Sequence, residues 1–140
     1  MSKVAIVFWS ATGNTETMAN CIAEGAGANG TIVSCAEMTP AKLAEFDVVA
    51  FGCPAMGAEQ LEESEFEPMF AALEGSLNGK KIALFGSYGW GDGQWMRDWA
   101  QRAQDDGAQL FSEEGLICNE TPDDDVQAAC RKLGTDLVAW

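Results

Sequence analysis

The residues best suited to chemistry come early in the chain. In Ser10-Ala11-Thr12-Gly13-Asn14-Thr15, three hydroxyls, a side-chain amide and a glycine fall within six residues. An apolar run, Val4 to Trp9, precedes them, and helix-like spacing follows. A loop between a strand and a helix start offers unpaired N–H groups and the positive end of the helix dipole to an anion. Gly13 lets backbone approach closely, and Ser10, Thr12, Asn14 and Thr15 add donors without formal charge. Phosphate is the guest that suits this chemistry. The loop holds no Lys or Arg, unlike the GxxxxGK[ST] loop of nucleotide hydrolases, and no GxGxxG pattern occurs there. Taken alone, the six residues fit a polar turn that binds nothing equally well.

Two further stretches belong with it. Cys53-Pro54-Ala55-Met56-Gly57-Ala58-Glu59 follows a second apolar run, and Gly86-Ser87-Tyr88-Gly89-Trp90-Gly91-Asp92-Gly93 follows a third. Four glycines in those last eight residues argue against regular structure. A tryptophan in such backbone, with no amphipathic stripe to join, has few ways to be covered except by a planar ligand, and that singles out Trp90. Met56, among small residues, offers an aromatic face a polarisable thioether. Trp95 and Trp99 are different: spaced i, i+4 on a helix, they belong to the core. In the Met56–Glu59 turn, Gly57 accepts positive φ at little cost. Ala58 disfavours the turn form that needs positive φ at its own position, so a type II′ turn is expected. Glu59, Glu62, Glu63, Glu65 and Glu67 crowd the following residues and read as a solvated acidic face.

The elements that must position these loops follow from the hydrophobic pattern. Lys3 to Trp9, Val48 to Gly52 and Lys81 to Phe85 are short continuous apolar runs, the pattern of parallel strands buried on both faces. Thr31 to Ser34 is a brief β-branched strand, and the last strand is split between Gln109–Phe111 and Leu116–Cys118 by an acidic kink. Helices are expected from Asn14 to the Gly25–Gly30 cluster, over Pro40–Ala44, from Pro68, from Trp95 to Gly107, and after a Thr121 cap with Pro122 at the first position. Strand and helix thus alternate five times over one domain, residues 1–140. The fold predicted is α/β, a doubly wound five-stranded parallel sheet with helices on both faces. In such sheets ligands sit at the carboxyl ends of the strands, where all three loops emerge.

Composition narrows the function. Twenty-two acidic residues against eight basic ones give a charge of −14, which repels nucleic acid and anionic membrane and so disfavours both as partners, while a basic protein is favoured. The absence of histidine removes His triads and His metal ligands. Five cysteines without a CxxC pair suggest neither a disulfide framework nor a metal site. No apolar run is long enough to span a membrane, and no signal-peptide pattern follows Lys3, so a cytoplasmic protein is expected.

The motifs Trp9-Ser10-Ala11-Thr12-Gly13-Asn14-Thr15, Gly52-Cys53-Pro54-Ala55-Met56-Gly57, Leu61 to Pro68, and Phe85 to Gly93 with Trp95-Met96-Arg97-Asp98 together resemble the short-chain flavodoxins of anaerobic bacteria. The resemblance covers nearly the whole chain. It implies strand order 2-1-3-4-5, non-covalent FMN, and low-potential transfer of single electrons between redox enzymes through the semiquinone/hydroquinone couple. It also implies that Ser10 to Thr15 hold the phosphate, that Pro54, Ala55, Met56, Gly57, Ala58 and Glu59 with Ser87, Tyr88, Gly89, Trp90, Gly91 and Gly93 surround the ring, and that Met56 and Trp90 cover it. In relatives the carbonyl corresponding to Gly57 turns toward flavin N5, Glu59 matches the partner of flavin N3–H, and Asn119-Glu120 matches a pair after the last strand. A monomer docking basic surfaces of its redox partners is the expectation. The alternative is a small FMN-dependent quinone or disulfide oxidoreductase of the same fold. It is disfavoured by the lack of histidine, of a nicotinamide motif and of any segment left to build a substrate pocket. A phosphorylated receiver domain would need carboxylates where this chain has Trp9-Ser10 and Gly52-Cys53.

Overall fold

The three longest apolar runs lie side by side at the centre of a parallel sheet. A computed structural model describes all residues, 1–140. In it β1 (Val4–Phe8), β3 (Val48–Gly52) and β4 (Lys81–Tyr88) are adjacent, and β2 (Gly30–Ile32) flanks β1. Two short segments, β5 (Gln109–Leu110) and β6 (Leu116–Asn119), share the far edge of β4, so the order is β2-β1-β3-β4-β5 with every pairing parallel. The doubly wound sheet and its order are as anticipated. The break in the fifth strand also has a concrete form. Leu110 faces Ile82 and Leu116 faces Phe85, so residues 111–115 bulge outward over only two residues of β4.

Alternation along β1 explains how the sheet is covered. Val4 and Ile6 pack with α1 (Asn14–Ala26) and α5 (Asp124–Ala139), while Ala5 and Val7 face α3 (Phe66–Leu73) and α4 (Gln94–Asp105). Trp95, Trp99, Phe66 and Phe70 are almost wholly buried in the second layer, each contributing about 1.5–3 kcal/mol by leaving water. On the first face α1 and α5 cross very closely. A Cβ on Gly25 would lie 1.8 Å from the Arg131 carbonyl oxygen, and one on Gly134 would lie 2.0 Å from that of Ile22.

Several boundaries differ from the sequence reading for local reasons. The second strand begins at Gly30 and ends at Ile32, earlier than Thr31–Ser34, because its register is set by pairing with Val4–Ile6. The short α2 (Pro40–Leu43) is capped by Thr39, whose side chain accepts from Lys42 N. Helix α3 starts at Phe66, two residues before Pro68, since the Glu62 carboxylate accepts from the N–H groups of Ser64, Glu65 and Phe66. Strand β4 runs on to Tyr88 through the start of the glycine-rich stretch, because Ser87 and Tyr88 pair with Cys118 and Asn119 of β6. The cap of α5 is Asp123, accepting from Val126 N at 2.9 Å, and Thr121-Pro122 lies before the helix. No helix is long and apolar enough to cross a membrane.

Candidate functional site

Register places the three loops together. Phe8 lies beside Gly52, and Gly52 beside Phe85, so the chain leaves β1, β3 and β4 at one edge. Gly86 lets the last two approach, since a Cβ there would be 2.2 Å from the Cys53 carbonyl oxygen. Between the loops is a cleft of about 500 Å³ lined by Ser10, Ala11, Thr12, Asn14, Thr15, Pro54, Ala55, Met56, Ser87, Tyr88, Gly89 and Trp90, with Glu120 and Thr121. A second, mainly apolar cavity of about 330 Å³ opens where the fifth strand breaks, against Leu84, Leu110, Phe111 and Leu133. It lies away from the carboxyl edge and its donors.

The first loop presents backbone rather than charge. Gly13, at φ +96°, stands at the cap position of α1 without a capping side chain. Ser10 Oγ accepts from Gly13 N at 3.1 Å and Glu16 N at 3.3 Å, which folds the loop. The N–H groups of Ala11, Thr12, Asn14 and Thr15 have no acceptor within the chain, as at the open start of any helix; Ala11 and Thr12 are exposed, Asn14 half-buried and Thr15 buried. Thr15 serves as a brace: its hydroxyl meets that of Ser87 at 2.9 Å and accepts from Ser87 N at 3.3 Å. No Lys or Arg lines the cleft.

The second loop is a three-residue hairpin. Met56 and Gln60 exchange both backbone hydrogen bonds, at 2.8 and 2.9 Å. Gly57 takes φ +50°, and Ala58 stays out of the positive region, as the alanine argument required. The four-residue type II′ turn ending at Glu59 is nevertheless replaced: closure falls one residue later, and Glu59 adopts φ +53°. Trp95 Nε1 donates to the Cys53 carbonyl at 3.1 Å, and Ala55 N to the Ser87 carbonyl at 3.0 Å, locking this loop to β4 and α4.

Trp90, on the third loop, is 54% exposed at the cleft rim and donates from Nε1 to the Gly57 carbonyl at 3.2 Å. Not every expected residue reaches the cleft. Gly91 (φ +77°) and Gly93 (φ +93°, capping α4) shape the loop from outside it, and Asn119 is exposed on β6. Glu120, at φ +60°, and Thr121 line the cleft instead. Thr121 was missed because Thr-Pro before acidic residues has the pattern of a helix cap, a role that Asp123 fills. Glu59 does not line the cleft; its Oε1 is buried without a hydrogen-bond partner, packed against Gly91.

Nor is the acidic run a uniform solvated face. Glu62 is 6% exposed. Burial pushes its carboxyl up, but hydrogen bonds from the Ser64 hydroxyl and from Phe66, Ser64 and Glu65 N–H outweigh that and bring it to about 2. Glu67 is bidentate to Arg102 at 2.7 Å, and Glu65 accepts from Trp9 Nε1 at 2.8 Å. Glu63 is exposed and unpaired. The cysteines are free thiols, and burial pushes Cys53 and Cys130 up to about 12, so neither is a ready nucleophile.

The Flavodoxin family profile matches residues 6–133. The chain belongs to the flavodoxin family. Against the flavodoxin of Megasphaera elsdenii it is 48% identical over 134 residues, covering 94% of this chain and 95% of that protein. Against the flavodoxin of Clostridium beijerinckii it is 43% identical over 136 residues, covering 95% and 97%. The solution structure of two-electron reduced Megasphaera elsdenii flavodoxin matches with a TM-score of 0.84 at 44% identity, covering 98% of this chain and 99% of that one. The observed strand order is the one for which flavodoxin is the type example, with its ligand at the switch between strands one and three. The cleft described above occupies that place.

Proposed function

We propose that this flavodoxin-family chain is a low-potential electron carrier that holds FMN non-covalently in the cleft and passes single electrons between larger redox proteins. The observation that carries the reading is the 10–15 loop, four of whose backbone N–H groups are without acceptors beside a cleft with no basic side chain. That donor set fits a phosphate dianion at a helix N-terminus. Ala11, Thr12, Asn14 and Thr15 would hold the phosphate, and Met56 and Trp90 would bear on the ring. When bound, the flavin supplies stepwise acceptance of two electrons.

The chain tunes that chemistry by what it withholds. With charge −14 overall and no cation in the cleft, added negative charge on a bound group is left uncompensated, which lowers the potential for acquiring it. A carrier also fits better than the quinone or disulfide reductase, since the chain offers no histidine for proton transfer to a substrate. The same acidity suits docking on basic surfaces of partner proteins, and a monomer suits a shuttle that must release quickly.

The test is a titration of cofactor-free protein with FMN and with riboflavin, which lacks the phosphate. FMN should bind at least about a hundredfold more tightly, since several charge-assisted hydrogen bonds depend on the phosphate. Equal affinity would contradict the role of the 10–15 loop, and no binding of either would remove the function.

A further inference from the structure

Where the fifth strand breaks, residues 111–115 leave the sheet, and a cavity of about 330 Å³ lies between them, β4 and α5. Its walls include Leu84, Leu110, Leu116, Leu133 and the Phe111 ring. Of these only Leu84 is fully buried; the other three leucines are half-buried, and Phe111 is 36% exposed. Large apolar side chains left partly in water around one concavity mark a binding surface. The volume stands at the lower end for small-molecule pockets, and a partner's helix, about 10–12 Å across with its side chains, would not enter it.

The walls are held in place. Phe111 N donates to the Ile82 carbonyl at 2.9 Å, and the Phe111 ring meets Trp140 edge-on with centroids 5.3 Å apart. The Ser112 hydroxyl donates to the Glu114 carbonyl at 2.6 Å and accepts from Glu114 N at 3.3 Å, which folds the bulge back on itself. Charge then selects the guest. Three charged side chains line the cavity, Glu114, Lys132 and Asp136. Lys132 is already matched, its Nζ 2.6 Å from Asp136 one helical turn on, whereas Glu114 joins no ion pair. The surplus is negative, in a chain of charge −14, and a partly exposed phenyl ring adds attraction for a cation.

We propose that this cavity is a second small-molecule site, separate from the cleft at the carboxyl edge, and that it takes an organic amine. The apolar body of the ligand sits against Leu84, Leu116 and Leu133, and its ammonium stays at the mouth with Glu114, Asp136 and the Phe111 ring. A carboxylate on the same body meets the surplus charge with the wrong sign.

The probes are 4-phenylbutylamine and 4-phenylbutanoate, which share a body and differ in the sign of the head group. They are titrated into the full chain saturated with FMN, and backbone amide shifts are followed by NMR. The amine should shift the amides of Phe111, Gly115, Ala129 and Leu133 saturably and bind at least about tenfold more tightly than the carboxylate at low salt, the factor shrinking as salt is added. Glu114→Gln combined with Asp136→Asn leaves Lys132 as the one charge lining the cavity, so the preference should reverse. Ala129→Leu adds carbons from an exposed position on α5 that lines the cavity, and it should abolish the shifts at Phe111 and Gly115. No saturable shift at these amides, shifts confined to residues 10–15 and 87–90, an affinity for the carboxylate equal to or above that for the amine, or undiminished binding in Ala129→Leu would each overturn the proposal.

Discussion

A carboxylate that is 6% exposed stays ionised only where other donors replace its water, and Glu62 has four of them, one hydroxyl and three backbone N–H groups. Its folded pKa, about 2 against an ordinary 4.5, therefore contributes stability that is fully present above pH 4.5 and is lost as the pH falls toward 2. The contribution is about 3 kcal/mol. Glu62→Gln, with an amide NH₂ facing N–H groups, should lower urea-unfolding stability at pH 7 by about 2–3 kcal/mol and flatten the loss between pH 4.5 and 2. An unchanged midpoint at pH 7 would contradict the capping role. Thr15 makes a second residue-scale prediction. Thr15→Val strands the buried Ser87 hydroxyl, so it should cost about 1 kcal/mol of stability and weaken FMN binding about fivefold by loosening the cradle from β4. Glu62 was illegible in the sequence because an acidic run looks the same whether a member points out or folds back to cap a helix. Met56 and Trp90 were legible because small residues and glycines around them left no core for them to join.

At the scale of elements, the crossing of α1 and α5 is the tightest contact in the fold. Gly25→Ala puts a methyl 1.8 Å from the Arg131 carbonyl oxygen, so the helices must separate. A loss of about 1–3 kcal/mol, seen as a lower thermal midpoint, is expected despite alanine's better helix propensity. Helices α3 and α4 are joined differently, by Arg102 bridging Glu67 and Glu74. Beside that bridge, burial and the neighbouring Glu74 raise Asp106 to about 6. Since its folded pKa lies above the ordinary 3.8, what Asp106 contributes is present below pH 3.8 and is lost as the pH rises through 6. Asp106→Asn should accordingly raise the urea midpoint more at pH 7.5 than at pH 5; equal shifts would contradict the assignment. Strands β1, β3 and β4 were readable from continuous apolar runs, because burial on both faces leaves no alternative pattern. Helix starts were less so. Pro68 and Thr121-Pro122 are good start signals, but side chains upstream and downstream, Glu62 and Asp123, supply the caps, and that choice is made by tertiary position.

For the whole molecule the deciding property is charge around one cleft. Of the acidic run only Glu63 and Glu65 stand exposed; glutamine removes an unpaired charge at 63, and at 65 it removes the charge while keeping an oxygen for the Trp9 Nε1 hydrogen bond. A charge about 10 Å from an added electron in water-like surroundings costs roughly 0.4 kcal/mol, about 20 mV. Replacing both by glutamine should raise the potential of the second electron by up to about 40 mV at low salt and weaken association with a basic redox partner, both effects fading as salt is added. Unchanged potential and unchanged binding would reduce the pair to solubilising charge. The central claim, a one-electron carrier built on this cleft, is tested most directly by the visible spectrum of the FMN-loaded protein during stepwise dithionite reduction. The account predicts flavin bands that give way to a distinct long-wavelength absorbance from a one-electron-reduced state before bleaching. Direct bleaching of bound flavin without that state would contradict it and favour a two-electron reductase.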